Sequence, residues 1–398
     1  MEQPTTNLGS NGSTRSPLQG VRVLDLTRVL AGPYCTMILA DLGAEVVKVE
    51  RPQSGDDARH FGPFLPSGQS AYFASINRGK KSITLDLKRP SDRELFLELS
   101  RQADVVVENF RAGAMTSLQL SAELLQQQNP RLIYASLTGF GLEGLDVDRA
   151  AYDVVIQAMS GLMSITGAGP GQFVRVGTSI SDLLTGLYGV IGICAALHQR
   201  ETTGRGTILD LAMLDCTVSA LENAVSRYAV SGQSPEPLGT RHPSITPFQA
   251  FQAADAPLVV AAGNDVLWRK LCHTLDCDHL ADDTRLCTND ARTQNRDYLE
   301  EQLNGYFQQA SQAEWLDKLR QQGVPSAPIR NMEQVVADEH LASRGMWHQM
   351  QDGQGGSLLT AGSPLRMDGR SPELSDLAPE LDEHRETILA QWLQVEEG

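Results

Sequence analysis

The chain has no excess of positive charge: among 398 residues, 33 Lys and Arg face 49 Asp and Glu, a formal net charge of −16. A surface of that sign repels the phosphates of nucleic acid and of anionic lipid, so neither is expected as a partner. A local basic pocket for a small anionic substrate remains compatible with it. The apolar run Leu183–Leu197 contains no charged residue, but at about 15 residues it is shorter than the roughly 20 that cross a bilayer. No signal peptide is recognisable at the start, so a reducing, cytoplasmic setting is expected. The six cysteines, Cys35, Cys194, Cys216, Cys272, Cys277 and Cys287, suggest no disulfide framework. Cys272, His273 and Cys277 match no zinc spacing, so no metal is expected. The pattern G-x-G-x-x-G is missing, which leaves a dinucleotide cofactor unsupported.

What is present is an ordinary globular composition, 41% hydrophobic and 21% charged, in a chain long enough for two domains. Residues 1–16, rich in Ser, Thr, Asn, Gly and Pro, read as a disordered tail. From there strands and helices alternate. Strands are predicted over Val21–Leu26, Glu45–Val49, Lys81–Leu87, Asp104–Val107, Leu132–Ser136 and Thr207–Leu211. Helices are predicted over Tyr34–Leu42, from Ser91 (capped through Glu94) and over Ser121–Gln128, while residues 51–81 read as irregular. This alternation predicts an α/β fold with a Rossmann-like, mainly parallel sheet. Its ligands belong beyond the carboxyl ends of the strands, at the loops TRVLAGP, ENFRAG and LTGFG.

The texture changes near Ser226, where prolines cluster without periodicity. We therefore expect a large domain over residues 17–225, a smaller α+β domain over 226–330, and a segment, 331–398, that returns to complete the large domain. In the small domain, Phe248–Phe251 and Leu258–Ala262 read as paired strands, with helices over Asp265–Leu275, Gln294–Gln309 and Gln312–Gln322. Met332–Gly345 then reads as one helix, Gln349–Arg366 as a hairpin and His384–Val395 as a closing helix.

The chain is organised around Ala151–Ala196. Two apolar segments flank a Gly169-Pro170-Gly171 turn and a strand-like run, Phe173–Val176. Gly186, Gly189, Gly192 and Ala196 then recur at helical spacing, a stripe that admits a second backbone at close range within a buried helix. Asp182 stands at the start of that helix. One reading makes Asp182, Ser181 or Ser179 the N-cap. The other makes Asp182 a reactive carboxylate kept ionised by the positive end of the helix dipole.

Taken together, the blocks LQGVRVLDLTRVLAGPYCTMILADLGAEVVKVERP, NRGKKSITLDLK, ADVVVENFRAG, AYDVVIQAMSGLMSITG, ISDLLTGLYGVIGICAAL and GRG, in that order, resemble the class III CoA-transferases. That family includes formyl-CoA and carnitine–CoA transferases and α-methylacyl-CoA racemases. The resemblance runs from about Leu18 to Leu389. It implies two chains interlocked as rings in a homodimer, with each active site between the large domain of one chain and the small domain of the other. It implies a CoA thioester as substrate and no permanently bound cofactor. The family's nucleophilic aspartate falls on Asp182. Its CoA-binding positions fall on Val29, Leu30, Ala31, Arg51, Leu85 to Lys88, Asn109, Phe110, Ala151 and Tyr152. Arg51 and Lys88 suit the phosphates of CoA. The sequence departs from the family at Thr116, Ser117 and Leu118, where many relatives place an arginine; Arg111 is expected to stand in.

The resemblance implies transfer through a mixed anhydride on Asp182 and then an aspartyl–CoA thioester, because a carboxylate can carry acyl group and CoA in turn. Backbone N–H groups at the start of the Asp182 helix, or of the small-domain loop, are candidate oxyanion donors. Racemisation is the rival within the family. It needs a second base where racemases place a histidine, and Tyr152 stands there, a poor base at neutral pH. A catalytically silent CoA-binding protein is the other alternative, which the presence of Asp182 opposes. The segments GTRHPSITPFQAF and VVAAGND are similar to the branch that moves CoA from succinyl-CoA to dicarboxylic acids such as glutarate. Arg241 and His242 are the expected partners of a distal carboxylate.

Overall fold

The computed structural model describes residues 16–351, 355–375 and 378–393. The tail expected over residues 1–16 lies outside them except for Ser16. Through the first half of the chain the elements are β1 (Arg22–Asp25), α1 (Ala31–Asp41), β2 (Glu45–Glu50), α2 (Ala71–Asn77), β3 (Lys81–Thr84), α3 (Pro90–Gln102) and β4 (Val105–Glu108). There follow α4 (Ala114–Ser117), α5 (Ala122–Gln128), β5 (Ile133–Thr138), α6 (Asp153–Met159), α7 (Ile180–Thr203) and β6 (Ile208–Ala212). The six strands form one sheet in the order β3-β2-β1-β4-β5-β6, and every pairing is parallel. The expected α/β, Rossmann-like sheet is therefore present, with the strand order reversing between β1 and β4, where doubly wound sheets open a crevice.

Alternation along the strands divides the core. Val23, Val105 and Val107 face one side with Cys35 and Leu39 of α1 and Ile193 and Ala196 of α7. Leu24 and Val106 face the other with Phe96 and Leu99 of α3. Ile388 and Trp392, from the closing helix Arg385–Leu393, join that second core. Runs such as VVVE read as nearly continuous apolar sequence because both faces of a parallel strand are covered.

Grouped by contact, the chain forms two compact units. One holds residues up to Ser160, Gly177–Glu222 and residues from His340 onward; the other holds Gly161–Val176 and Asn223–Glu339. The second unit carries an antiparallel sheet of β7 (Phe248–Gln252), β8 (Pro257–Ala261) and β9 (Ser326–Pro328). Trp268, Leu271, Leu299, Phe307, Trp315 and Leu319 form its core. The strand β9 escaped the sequence reading because it is three residues long and ends in Pro, which suits only a sheet edge.

Several local expectations are corrected. The helix expected from Ser91 begins at Pro90, with Arg89 as N-cap and no side-chain cap. Proline fits the first helical position because the N–H it lacks would have no partner there. Within the stretch read as irregular, α2 forms with the Ser70 hydroxyl accepting the Phe73 N–H; two turns are too few to display a helical period. The strand-like run Phe173–Val176 reduces to one bridge between Gly167 and Phe173. Met332–Gly345 splits into Met332–Val336 and Glu339–Ser343.

Helix α7 also differs from expectation. It spans 24 residues, because its polar last turns continue beyond the apolar run. By length and composition it is long and apolar enough to cross a membrane. Ser181, Thr185, Gly186, Gly189, Ile193 and Ala196 are buried, as in a core helix. The other face is not buried within this chain: Leu187, Tyr188 and Ile191 are exposed.

Candidate active site

At the reversal point of the sheet, the loops leaving β1 and β4 are tied together. Asn109 accepts the Arg28 N–H through Oδ1 and donates Nδ2–H to the Arg28 carbonyl, both at 2.8 Å. Beside them opens a cavity of about 500 Å³ whose lining includes Thr27, Arg28, Arg51, Leu85, Lys88, Arg89, Phe110 and Leu118. The apolar wall is Leu85, only 2% exposed, with Phe110 and Leu118. Four cations stand on the rim. Asp57 gathers two of them, Arg51 at 2.6 Å and Arg28 at 3.3 Å. The Arg28 guanidinium lies 5.4 Å from the centre of the Phe110 ring, within cation–π range. Glu50, Asp56 and Asp86 also line the cavity, but Glu50 is paired with Arg59 and Asp56 with Lys48, which leaves the four cations and the apolar wall to suit a phosphorylated ligand with a flat apolar end.

The structure brings Arg51, Leu85, Lys88 and Phe110 onto this cavity, while Asn109 braces its wall. Arg111 is exposed and is not among the lining residues. The position seven or eight residues after the Asn-Phe pair contributes Leu118 rather than a cation. Sequence reasoning missed Arg28 and Arg89, each adjacent to a residue it selected; their charge was visible, but not their direction.

The same β1–α1 loop continues through Val29, Leu30 and Ala31 to helix α7. A Cβ added at Gly186 would lie 2.8 Å from the Ala31 carbonyl oxygen, and one at Gly189 2.9 Å from Cys35 Sγ. The glycine stripe therefore does admit a second backbone, that of α1. It places the start of α7, with Asp182, near the loop that walls the cavity.

Asp182 sits in the first turn of α7 and does not cap it. Ser179 occupies the N-cap position without a side-chain bond. The buried first-turn amide of Ser181 donates instead to Asp153 Oδ1 at 2.9 Å, and Asp153 Oδ2 accepts from Gln157 Nε2 at 2.7 Å. The Ile180 N–H donates to the Thr178 carbonyl, so two of the first-turn amides expected as oxyanion donors are already engaged. Among the described residues the Asp182 carboxyl has no hydrogen-bond partner. Burial, followed by the charge of Asp153, pushes its pKa up to about 7. The expectation that the helix dipole keeps it ionised is thereby overturned: a dipole is worth about 0.3–1 kcal/mol at an exposed end, less than the loss of water and a neighbouring like charge.

Tyr72 on α2, absent from the sequence reading, belongs to the same neighbourhood. Its hydroxyl is pushed up to about 12 by burial and by the charges of Asp182, Asp56 and Asp153, so it stays protonated at neutral pH. Tyr152 precedes α6 and is 73% exposed. Its neighbour Ala151 packs where a Cβ on Gly139 would fall, at 2.3 Å.

In the second unit, Arg241 is ion-paired with Glu300, and Arg296 donates to the His242 carbonyl at 2.9 Å. The His242 ring lies 5.5 Å from that of Phe248 and accepts the Ser244 N–H at Nδ1. Arg241 therefore has a carboxylate partner within its own chain.

Comparison with known proteins agrees with this geometry. Residues 18–385 match the family model described as CoA-transferase family III. The chain is 42% identical to an acetyl-CoA:oxalate CoA-transferase of Acetobacter aceti, over 93% of this chain and 94% of that protein. It is 39% identical to a succinyl-CoA:glutarate CoA-transferase of Homo sapiens, over 96% of this chain and 87% of the relative. A crystal structure of a CAIB/BAIF family protein from Brucella suis superposes with a TM-score of 0.84 at 40% identity, covering 95% of this chain and 100% of that one. With a family match that spans nearly all the described residues, and relatives of this similarity over most of their length, the chain belongs to CoA-transferase family III and is an enzyme of the transferase class.

Proposed function

We propose that this enzyme moves CoA from an acyl-CoA donor, succinyl-CoA in the first instance, to a dicarboxylic acid, with Asp182 as the covalent carrier. The observation that carries this reading is the Asp182 carboxyl itself. It has no hydrogen-bond partner among the described residues, has its pKa pushed up to about 7 by burial and by Asp153, and stands one helical turn before Gly186, which meets the loop that walls the cavity. In the cavity, Arg28, Arg51, Lys88 and Arg89 take the phosphates of CoA, and Leu85, Phe110 and Leu118 take its flat or apolar parts. Ionised Asp182 attacks the thioester carbonyl, expelling CoA thiolate and leaving a mixed anhydride. The thiolate then attacks the aspartyl carbonyl, releasing the donor acid and leaving an aspartyl–CoA thioester, which the acceptor carboxylate resolves by the reverse steps. Burial of the site supports this chemistry, since an anhydride survives only where water is scarce. Protonated Tyr72 is a neutral donor suited to a developing oxyanion.

Dicarboxylic acceptors are the class named for the relatives that act on oxalate, mesaconate and glutarate. Arg241 and His242 are proposed to meet the distal carboxylate. For Arg241 this requires exchanging Glu300 for the substrate. The racemase alternative is disfavoured because Tyr152, not a histidine, stands where racemases place their second base. We also propose that the chain works as the interlocked homodimer its resemblance implies. The exposed apolar face of α7, Leu187, Tyr188 and Ile191, supports a covering partner. The mechanism is tested by incubating the native protein with succinyl-CoA, quenching with hydroxylamine and mapping the modified peptide. The label is expected within ISDLLTG; a label elsewhere, or none during turnover, rejects covalent catalysis by Asp182.

A further inference from the structure

The β1–α1 loop adopts a backbone that its sequence does not favour. Val29 has φ +68°, a region that a β-branched residue enters only when its surroundings compel it. The compelling group is a buried ion pair. The Val29 N–H donates to Asp56 Oδ1 at 3.0 Å, and the same oxygen accepts the Ala58 N–H at 2.9 Å. Oδ2 of Asp56 lies 2.9 Å from Lys48 Nζ, with both side chains essentially without solvent exposure. Lys48 in turn donates to the Thr27 carbonyl at 2.8 Å. One Lys–Asp pair thus holds the backbone on both sides of Arg28, and Asn109 holds Arg28's own amide and carbonyl.

The pair has further support beneath it. Lys80, also buried, bonds Asp25 at 2.9 Å and the Pro33 carbonyl at 3.0 Å, and Asp25 accepts the Thr27 N–H at 2.9 Å. Burial alone would raise the pKa of Asp56; the Lys48 ammonium and the amides of Ala58 and Val29 outweigh it and hold it below the usual carboxylate range. Burying two charges is costly, and a hydrophobic pair would often serve stability as well. The retained pair therefore points to a geometric task. With the loop so held, Arg28 lies over Phe110 on the cavity rim, and the Ala31 carbonyl meets Gly186 of α7.

We propose that Asp56, charged by its contact with Lys48, is a positioning residue: it locks Val29 in the left-handed conformation and so presets the loop that offers Arg28 to the anionic part of CoA. The inference rests on the CoA-binding reading above, but goes beyond it in assigning a positioning role to Asp56, a buried anion in the cavity wall whose carboxylate is turned to Lys48 and the loop amides.

The test is isothermal titration of free coenzyme A into native protein, Asp56→Asn, Asp56→Ala, and each Asp56 variant combined with Val29→Gly. Asp56→Ala is expected to weaken CoA binding about ten- to a hundredfold, and Asp56→Asn, which keeps an acceptor oxygen, by less. In turnover the loss falls on KM for the acyl-CoA, with kcat at saturation nearly kept. Glycine at position 29 carries no Cβ strain at positive φ, though it has an entropic cost, so Val29→Gly is expected to restore part of the affinity in each background. A merely structural role would lower thermal stability without that selective rescue. Native protein that binds CoA while both folded Asp56 variants bind equally well, or no rescue by Val29→Gly, overturns the inference alone; native protein that does not bind CoA overturns the functional reading. Should neither variant fold, hydrogen exchange on native protein decides. The Val29 amide is expected to be protected before CoA is added, and rapid exchange there rules out a preset loop.

Discussion

Asp153 Oδ1 accepts the backbone N–H of Ser181 at 2.9 Å, so a residue from the preceding helix caps α7 and Asp182 is released from that duty. The same carboxylate is a like charge for Asp182, which it helps to push up to about 7, after burial. One side chain therefore both completes the helix end and tunes the proposed nucleophile.

The first prediction is a pH profile. The rate of transfer is expected to rise with pH through about 7 as Asp182 ionises and then to level off. Asp153→Asn keeps an oxygen for Ser181 but removes the like charge, so the acidic limb is expected to move to lower pH. An unmoved limb in a folded variant means the titration belongs to another group.

A second prediction concerns stability. The folded chain holds the Asp182 proton between the ordinary carboxylate value near 4 and about 7, where the unfolded chain has already released it. The associated stability is complete below about pH 4 and is lost as pH rises through about 7. Asp182→Asn, uncharged throughout, is expected to abolish transfer yet melt above the native protein at pH 8, with the gap closing toward pH 4. A lower melting temperature at pH 8 would show that the charged carboxylate stabilises the fold.

The glycine stripe makes a graded prediction. Gly186→Ala puts a Cβ 2.8 Å from a backbone oxygen, that of Ala31, whereas Gly192→Ala meets only Leu209 Cδ1 at 3.3 Å. The first is expected to cost about 1–3 kcal/mol and to weaken CoA binding through the displaced loop. The second is expected to be nearly neutral, because alanine gains about 0.5–1 kcal/mol over glycine within a helix. Equal melting temperatures for the two variants would refute the close packing of α1 on α7.

Arg241 separates two roles. As a carboxylate receptor, its replacement by Ala is expected to lower the preference for dicarboxylic over monocarboxylic acceptors about ten- to a hundredfold, the worth of a charge-assisted bond. If its work is only to hold Glu300, the variant loses stability and the acceptor ratio stays unchanged.

Assembly supplies the last test. Chains threaded through one another have no separate folded monomer, so light scattering at micromolar concentration should give about twice the 43.3 kDa chain mass. Leu187→Glu or Ile191→Glu on the exposed face of α7 is expected to reduce the folded yield. An active monomer would reject the interlocked assembly.

The sequence by itself determined the six strands of the parallel sheet, the glycine stripe and the family, because each is written in local periodicity or in contiguous blocks such as LDLTRVLAGP; α2 and β9 were too short to be legible in it. The family resemblance also singled out Arg51, Leu85, Lys88 and Phe110, and the fold brings them onto one cavity because loops after successive parallel strands gather at one edge. Tertiary structure decided what depends on neighbours distant in the chain. Burial and Asp153 pushed the Asp182 pKa up to about 7, and Arg241 acquired Glu300 as partner. Arg111 was left off the cavity while Arg28 turned onto it, and Lys48 and Asp56, ordinary charges in a strand and a loop, became a buried pair. Solvent exclusion and long-range charge act through space, and a residue's place along the chain records neither until the sheet has brought its loops together.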